Sequence, residues 1–144
     1  MKIDRTVIAV AGAVFLLALA NPLLADTARL FVTVTGSSVQ DRAMPLVLAN
    51  QAMDQGSEVR VLLCGDGAML SLSDYQAERF APRDITPTDL LQRLMANGST
   101  VEVCAIFLPN SEHDADQLRD GITVANPADV AAWMMAPNTR ILSH

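Results

Sequence analysis

The chain alternates short apolar segments rich in β-branched residues with segments of helical periodicity, and this alternation constrains its fold most. The strand-like segments are apolar almost throughout, which is typical of strands covered on both faces. Strands that alternate with helices in this way form a parallel sheet with helices packed on its two sides. We therefore predict one three-layer α/β/α domain with a five-stranded parallel sheet. The predicted strands are RLFVTVT (29–35), EVRVLLC (58–64), TVEVCAIFL (100–108), ITVA (122–125) and TRILSH (139–144).

Four segments between these strands have helical patterns. In the first, Pro45 is expected in the opening turn, where a helix tolerates proline, so the helix begins near Asp41 and ends at Gly56. In the third, Ser111 and Asp114 have the spacing of a capping box, which predicts a short helix soon after the third strand. The helical patterns fall within 41–56, 87–98, 111–121 and 127–136.

The N-terminus has the pattern of a secretory signal peptide. Lys2 and Arg5 precede an uncharged apolar run over 7–20, and Pro22 and small residues follow it. We predict a signal peptide over residues 1–25, cleaved after Ala25, with Ala20 as a second option and retention as an anchor as the alternative. Residues 26–144 are then the α/β domain, and the protein is expected to be periplasmic or secreted.

Charge and lysine content exclude several functions for residues 26–144. This segment has eight basic and fifteen acidic residues, a net charge of about −7, which disfavours nucleic acids and anionic membranes as partners. Lys2 is the chain's sole lysine, so the domain lacks the residue that a Schiff base or a P-loop requires. The acidic stretch around His113, SEHDAD, is expected to be a solvated helix face, because adjacent helical residues do not converge on one ion. We expect no metal and no cofactor.

Two cysteines fall where an open parallel sheet usually places its reactive groups, at the carboxyl ends of strands. Cys64 closes the second predicted strand and Cys104 lies near the end of the third. The positive end of a following helix would favour a Cys104 thiolate, whereas Glu112 and Asp114 in the same turn would oppose it. Three interpretations of Cys104 stay open: a buried packing residue, a disulfide partner of Cys64, or a reactive thiol.

Several stretches of the sequence resemble the DsrE/DsrF-like family of sulfur-relay proteins, which includes the sulfur carriers of tRNA thiolation. The resemblance spans about 29–142, and its most specific element is Cys104, which ends a strand in a G..V.VC pattern. It implies a five-stranded parallel sheet of order 4-3-2-1-5 and assembly as trimers or hexamers. In that order the second and third strands are neighbours, so a bridge between Cys64 and Cys104 remains possible. The stretches are FVTVTGSS, DQGSEVRVLLCGDG, LMANGSTVEVC and DGITVANPADVAAWMMAPNTRIL.

The resemblance and the residues together predict a periplasmic sulfur-handling protein. In this hypothesis Cys104 carries sulfane sulfur as a persulfide and passes it to a partner, and Cys64 is a resolving or modulating thiol. The expected partners are a sulfur donor or acceptor protein and further copies of the chain. The alternatives are a non-catalytic module for small-ligand binding or assembly, with Cys104 as core packing, and a thiol–disulfide redox protein that uses both cysteines.

Overall fold

A parallel sheet of five strands forms the centre of the protein, in the order β4-β3-β2-β1-β5. The structure is a computed structural model, and it describes residues 27–144. The predicted fold class is confirmed, and the strand order is the one that the resemblance implies. The predicted signal peptide, residues 1–25, lies outside the described residues. The strands are β1 (Arg29–Val34), β2 (Glu58–Leu63), β3 (Thr100–Val103), β4 (Thr123–Val124) and β5 (Thr139–Ser143).

Three α-helices connect these strands, and each begins at a polar capping residue. The side chains of Ser38, Thr86 and Asn126 accept hydrogen bonds from backbone N–H groups in the first turns. Over residues 27–144, no helix combines the length and the apolar character that crossing a membrane requires. The helices are α1 (Val39–Asp54), α2 (Pro87–Ala96) and α3 (Pro127–Met134).

Helix α1 begins two residues before the predicted start. The hydroxyl of Ser38 accepts a hydrogen bond from the N–H of Asp41 at 3.1 Å, so Ser38 is the capping residue. Pro45 therefore lies beyond the first turn. Because proline has no backbone N–H, the helical hydrogen bond from position 45 to the carbonyl of Asp41 is missing. Pro45 is buried, so packing at this position outweighs the local preference on which the prediction rested.

The predicted helix after the third strand was wrong. β3 ends at Val103, and the following segment has only two 3₁₀ turns, Leu108–Asn110 and Ala115–Gln117. The N–H of Ser73 donates to the carbonyl of Gln117 at 2.9 Å, and the N–H of Arg119 donates to the carbonyl of Ser71 at 2.8 Å. These tertiary hydrogen bonds hold the segment against the chain that follows β2, in place of the bonds that a helix would make.

The two faces of the sheet are covered unequally. α1 and α2 bury one face in a large apolar cluster, whereas α3 alone covers the other. We call this second side, which carries Phe31 and Leu62, the α3 face. Ile141 is paired with Phe31 and so belongs to the same face, yet it is 54% exposed. The small cluster of the α3 face consists of Phe31, Leu62, Ala125, Val130, Trp133 and Met134.

Candidate functional site

Cys64 and Cys104 lie opposite each other at the carboxyl edge of the sheet. They are the first residues after β2 and β3, whose parallel pairing ends with Leu63 opposite Val103. The N–H of Cys104 donates to the carbonyl of Leu63 at 2.8 Å, which continues the ladder by one residue. The two cysteines are therefore the next opposed pair.

The two thiols are free, partly buried and hydrogen-bonded to each other. Side chains alternate along a strand, so both thiols extend from the α3 face, the side to which Leu62 belongs. Of the three interpretations of Cys104, full burial in the core does not describe its position. The structure shows the two sulfur atoms as neighbouring thiols, the arrangement from which a disulfide could form.

Glycines after β2 hold Cys64 at this position. The N–H of Cys64 donates to the carbonyl of Val34, at the end of β1, at 3.0 Å. Gly65 has φ of +50°, and Gly67 packs so closely that a Cβ atom there would lie 2.3 Å from the same carbonyl oxygen. The sequence GDG is therefore a structural turn that brings the chain across the end of β1.

Two cavities meet at Cys104. We call the first, of about 320 Å³, the thiol cavity, and the second, of about 260 Å³, the α3 cavity. Cys104 and Ile106 line both, and Ile106 is 70% exposed, so the thiol lies beside the surface. Within the described chain, no charged side chain lines either cavity. The thiol cavity is lined by Cys64, Gly65, Cys104, Ile106, Phe107, Asn110 and Ser111.

The surroundings of Cys64 favour its protonated form. Burial, together with the hydrogen bond to Cys104 and the negative charge of Cys104, raises the pKa of the Cys64 thiol to about 12. Cys64 is therefore a neutral thiol at physiological pH. Its S–H group is placed to donate a hydrogen bond to the sulfur of Cys104.

The helix N-terminus that we expected beside Cys104 is absent, because residues 105–107 form a turn. The N–H of Phe107 donates to the carbonyl of Cys104 at 2.9 Å and closes this turn. Glu112 and Asp114 do not line the thiol cavity. The prediction that a helix dipole favours the Cys104 thiolate was therefore wrong. The prediction that Glu112 and Asp114 oppose it from the first turn of that helix was wrong as well.

We predicted that His113 lies on a solvated helix face, and this prediction was wrong. It is partly buried and stacks on Phe107, with ring centroids 6.1 Å apart and an interplanar angle of 24°. Among residues 27–144, no three His, Cys, Asp or Glu side chains are grouped so that they could hold a metal ion.

Sequence reasoning missed the residues that form the wall of the thiol cavity. The segment through Leu108 was assigned to the third strand, whereas Ile106, Phe107, Asn110 and Ser111 wrap around the thiols. The amide of Asn110 donates to the carbonyl of Ile106 at 2.8 Å and stabilises this wrap. Pro109 and Asn110, the nearest turn-forming residues, come after Leu108, so they gave no signal that the strand already ends at Val103.

Comparison with known proteins identifies the fold. No protein-family model matches the sequence, and no curated protein matches it. The crystal structure of the ychN protein from E. coli superimposes with a TM-score of 0.64 at 17% identity, over 83% of this chain and 100% of that one. MTH1491 from Methanobacterium thermoautotrophicum, a protein of unknown function, gives 0.59 at 14% identity, over 81% and 99%. Both have the DsrE-like fold, and this chain shares it.

The site and the fold together define an α/β protein of DsrE-like architecture with two opposed thiols at the edge of its sheet. At these identities the similarity to solved structures concerns the fold alone. The chemistry of the site therefore has to be argued from its own residues.

Proposed function

We propose that this protein is an exported sulfur carrier in which Cys104 holds sulfane sulfur as a persulfide and passes it to a partner protein. The observation that carries the proposal is the position of the Cys104 thiol. It lies at the carboxyl edge of a parallel sheet, partly buried, beside a cavity that reaches the surface at Ile106. The family resemblance around Cys104 supports the same role.

Loading and delivery are thiolate exchanges at sulfur. The Cys104 thiolate attacks the terminal sulfur of a donor persulfide, R–S–SH. A bond forms between Cys104 Sγ and that sulfur, the S–S bond of the donor breaks, and the donor leaves as the thiolate R–S⁻. Delivery is the same step with an acceptor thiolate as nucleophile, and Cys104 leaves as a thiolate. Neither step changes the total oxidation state of sulfur, so neither needs a metal or a redox cofactor.

The lining of the thiol cavity suits a stored persulfide. A volume of about 320 Å³ accommodates one further sulfur atom beside Cys104 together with the approach of a partner's thiol. The neutral S–H of Cys64 can donate a hydrogen bond to the sulfur of Cys104.

Sulfur loading tests the proposal directly. Protein recovered from the periplasm, where the export proposal expects an N-terminus at Asp26, is exposed briefly to inorganic polysulfide without air and measured by intact-protein and peptide mass spectrometry. We expect the mass of one added sulfur atom on the Cys104 peptide. Cys104→Ser is expected to abolish this adduct, and Cys64→Ser to retain it, which makes each variant the control for the other.

Other outcomes assign other functions. Two thiols that stay unmodified would contradict the carrier and favour the assembly or ligand-binding module. The apolar α3 cavity, which Leu62 and Met134 line, is the feature that fits such a module. Sulfur added equally to Cys104→Ser and to the unchanged protein would also contradict the role of Cys104.

We also propose that the protein forms homo-oligomers through the α3 face. This face has the thinner helical cover, and Ile106, Met135 and Ile141 are 70%, 85% and 54% exposed near it. A contiguous exposed apolar patch on a folded protein often marks an interface. We expect light scattering to give a multiple of the monomer mass and Ile141→Asp to reduce it. Leu48→Asp, an exposed leucine of α1, is the control; a monomeric unchanged protein would contradict the proposal.

A further inference from the structure

We infer that Cys64 discharges the persulfide on Cys104 when no acceptor takes it: Cys64 attacks Cys104 Sγ, releases sulfide and closes a Cys64–Cys104 disulfide. This inference rests on the proposed function and adds a regulatory state to it. The disulfide form cannot be loaded, so the site switches itself off until a reductant reopens it.

The backbone places the two sulfur atoms for this reaction. Neighbouring strands of a sheet lie about 4.8 Å apart. A disulfide requires a Cα–Cα distance of roughly 4.4 to 6.8 Å, so opposed residues of neighbouring strands meet the requirement without backbone movement. Cys64 and Cys104 are opposed, they extend from the same face, and their thiols are already hydrogen-bonded.

The reaction balances without an external oxidant. The Cys64 thiolate forms a bond to Sγ of the Cys104 persulfide, and the bond between Sγ and the outer sulfur breaks. The outer sulfur leaves as HS⁻ and takes up the proton that Cys64 has lost, which gives H₂S. The sulfane sulfur is reduced to sulfide while the two cysteines are oxidised to a disulfide. A dithiol reductant then supplies two electrons and two protons to restore both thiols.

The position of Cys64 selects the inner sulfur as the point of attack. Its thiol neighbours Cys104 Sγ across the opposed pair, and that sulfur becomes the inner atom of the persulfide. A partner protein approaches from the surface side, at Ile106, and so meets the outer sulfur. Transfer to an acceptor and discharge by Cys64 therefore use different sulfur atoms of the same persulfide.

The protonated state of Cys64 makes discharge the slower of the two outcomes. Burial is the main cause that keeps the Cys64 thiol neutral, and no charged side chain of the described residues lines the cavity to remove its proton. The thiolate is the attacking species, so only a small fraction of Cys64 can react at any time. An acceptor that docks promptly receives the sulfur before Cys64 releases it.

The test follows loaded protein after the donor has been removed. The unchanged protein and Cys64→Ser are loaded with inorganic polysulfide under anaerobic conditions, freed of small molecules, and sampled over time for persulfide, disulfide and sulfide. In the unchanged protein we expect the persulfide to decay with one sulfide released per disulfide formed. In Cys64→Ser we expect the persulfide to last at least about tenfold longer, because the intramolecular nucleophile is gone. Cys64→Ala is the second variant, and urea unfolding of both verifies that they fold.

The outcomes separate this inference from the proposed function. Persulfide that forms on Cys104 and lasts equally long in both proteins would overturn the inference and leave the carrier intact. Sulfur that moves from Cys104 to Cys64 without release of sulfide would also overturn it, because the attack would then be on the outer sulfur. No persulfide in either protein would overturn the proposed function and the inference together.

Discussion

Replacing Arg60 with methionine is expected to lower the free energy of unfolding by about 3 to 5 kcal/mol. Arg60 Nη2 and Nε each lie 2.7 Å from Oε2 of Glu102, and both side chains are only 10% exposed. Methionine keeps most of the apolar volume but removes the charge, so Glu102 would remain buried without its counter-ion. Urea unfolding measures the loss from the shift in midpoint.

The double variant Arg60→Met/Glu102→Leu tests whether the loss of stability in Arg60→Met comes from leaving the charge of Glu102 buried and unpaired. Apolar replacement of both partners of a buried pair is often nearly neutral, so we expect the double variant to recover most of the loss, to within about 1 kcal/mol. Arg93→Met, which removes a half-exposed pair with Asp54, is the matched control and should cost less than about 1 kcal/mol. Equal losses from Arg60→Met and Arg93→Met would contradict the assignment of the Arg60 pair as a buried one.

The Arg60–Glu102 pair lies on the same face of the sheet as the thiols, the α3 face. Glu102 is opposite Leu62 in the strand register, and Cys104 opposite Cys64 is the next pair on the same face. Arg60 also donates to the carbonyl of Asp129 at 3.4 Å and so links the sheet to α3. This hydrogen bond adds a polar contact to the small apolar cluster between the sheet and α3.

Replacing Gly67 with alanine is expected to destabilise the protein by about 3 kcal/mol or more, because the added methyl group would overlap backbone atoms. A Cβ atom at position 67 would lie 2.3 Å from the carbonyl oxygen and 2.7 Å from the carbonyl carbon of Val34. Backbone cannot rotate away as a side chain can. The same carbonyl accepts the hydrogen bond from the N–H of Cys64, so the clash also displaces the thiol.

Gly56→Ala is the control for this effect. Gly56 has φ of +86° and no atom within 4 Å of an added Cβ, so its substitution should cost only about 1 kcal/mol of backbone strain. Unfolding in urea compares the two variants, and the rate of alkylation of Cys64 reports displacement of the thiol. A Gly67→Ala variant as stable as Gly56→Ala, with unchanged alkylation, would contradict the close approach at Val34.

Local sequence patterns predicted the sheet and four helices, and three of these helices are present. Apolar β-branched runs locate all five strands to within a few residues, except that the third strand ends well before Leu108. Helical spacing predicts that Leu90, Leu91, Leu94 and Met95 of α2 face inward; the three leucines are buried and Met95 is partly buried. These elements were predictable because burial of one apolar stripe or strand decides their conformation.

The segment after β3 could not be predicted in this way. Ser111 and Asp114 matched a capping pattern, but Asp114 pairs with Gln117 instead, and the chain is held by hydrogen bonds to the segment after β2. Those partners are 44 and 48 residues away in the sequence. Local propensity differs between conformations by less than 1 kcal/mol per residue, so a few such tertiary bonds decide the outcome.

The sequence by itself determined that two cysteines follow apolar strands and that those strands belong to a parallel sheet, since hydrophobic pattern and residue order are local properties. Only the tertiary structure decided that the cysteines oppose each other. Strand order and register arise from packing between distant segments, and they turn two separate thiols into one hydrogen-bonded pair. The raised pKa of Cys64 follows from that packing, because burial and a charged neighbour exist only in the folded chain.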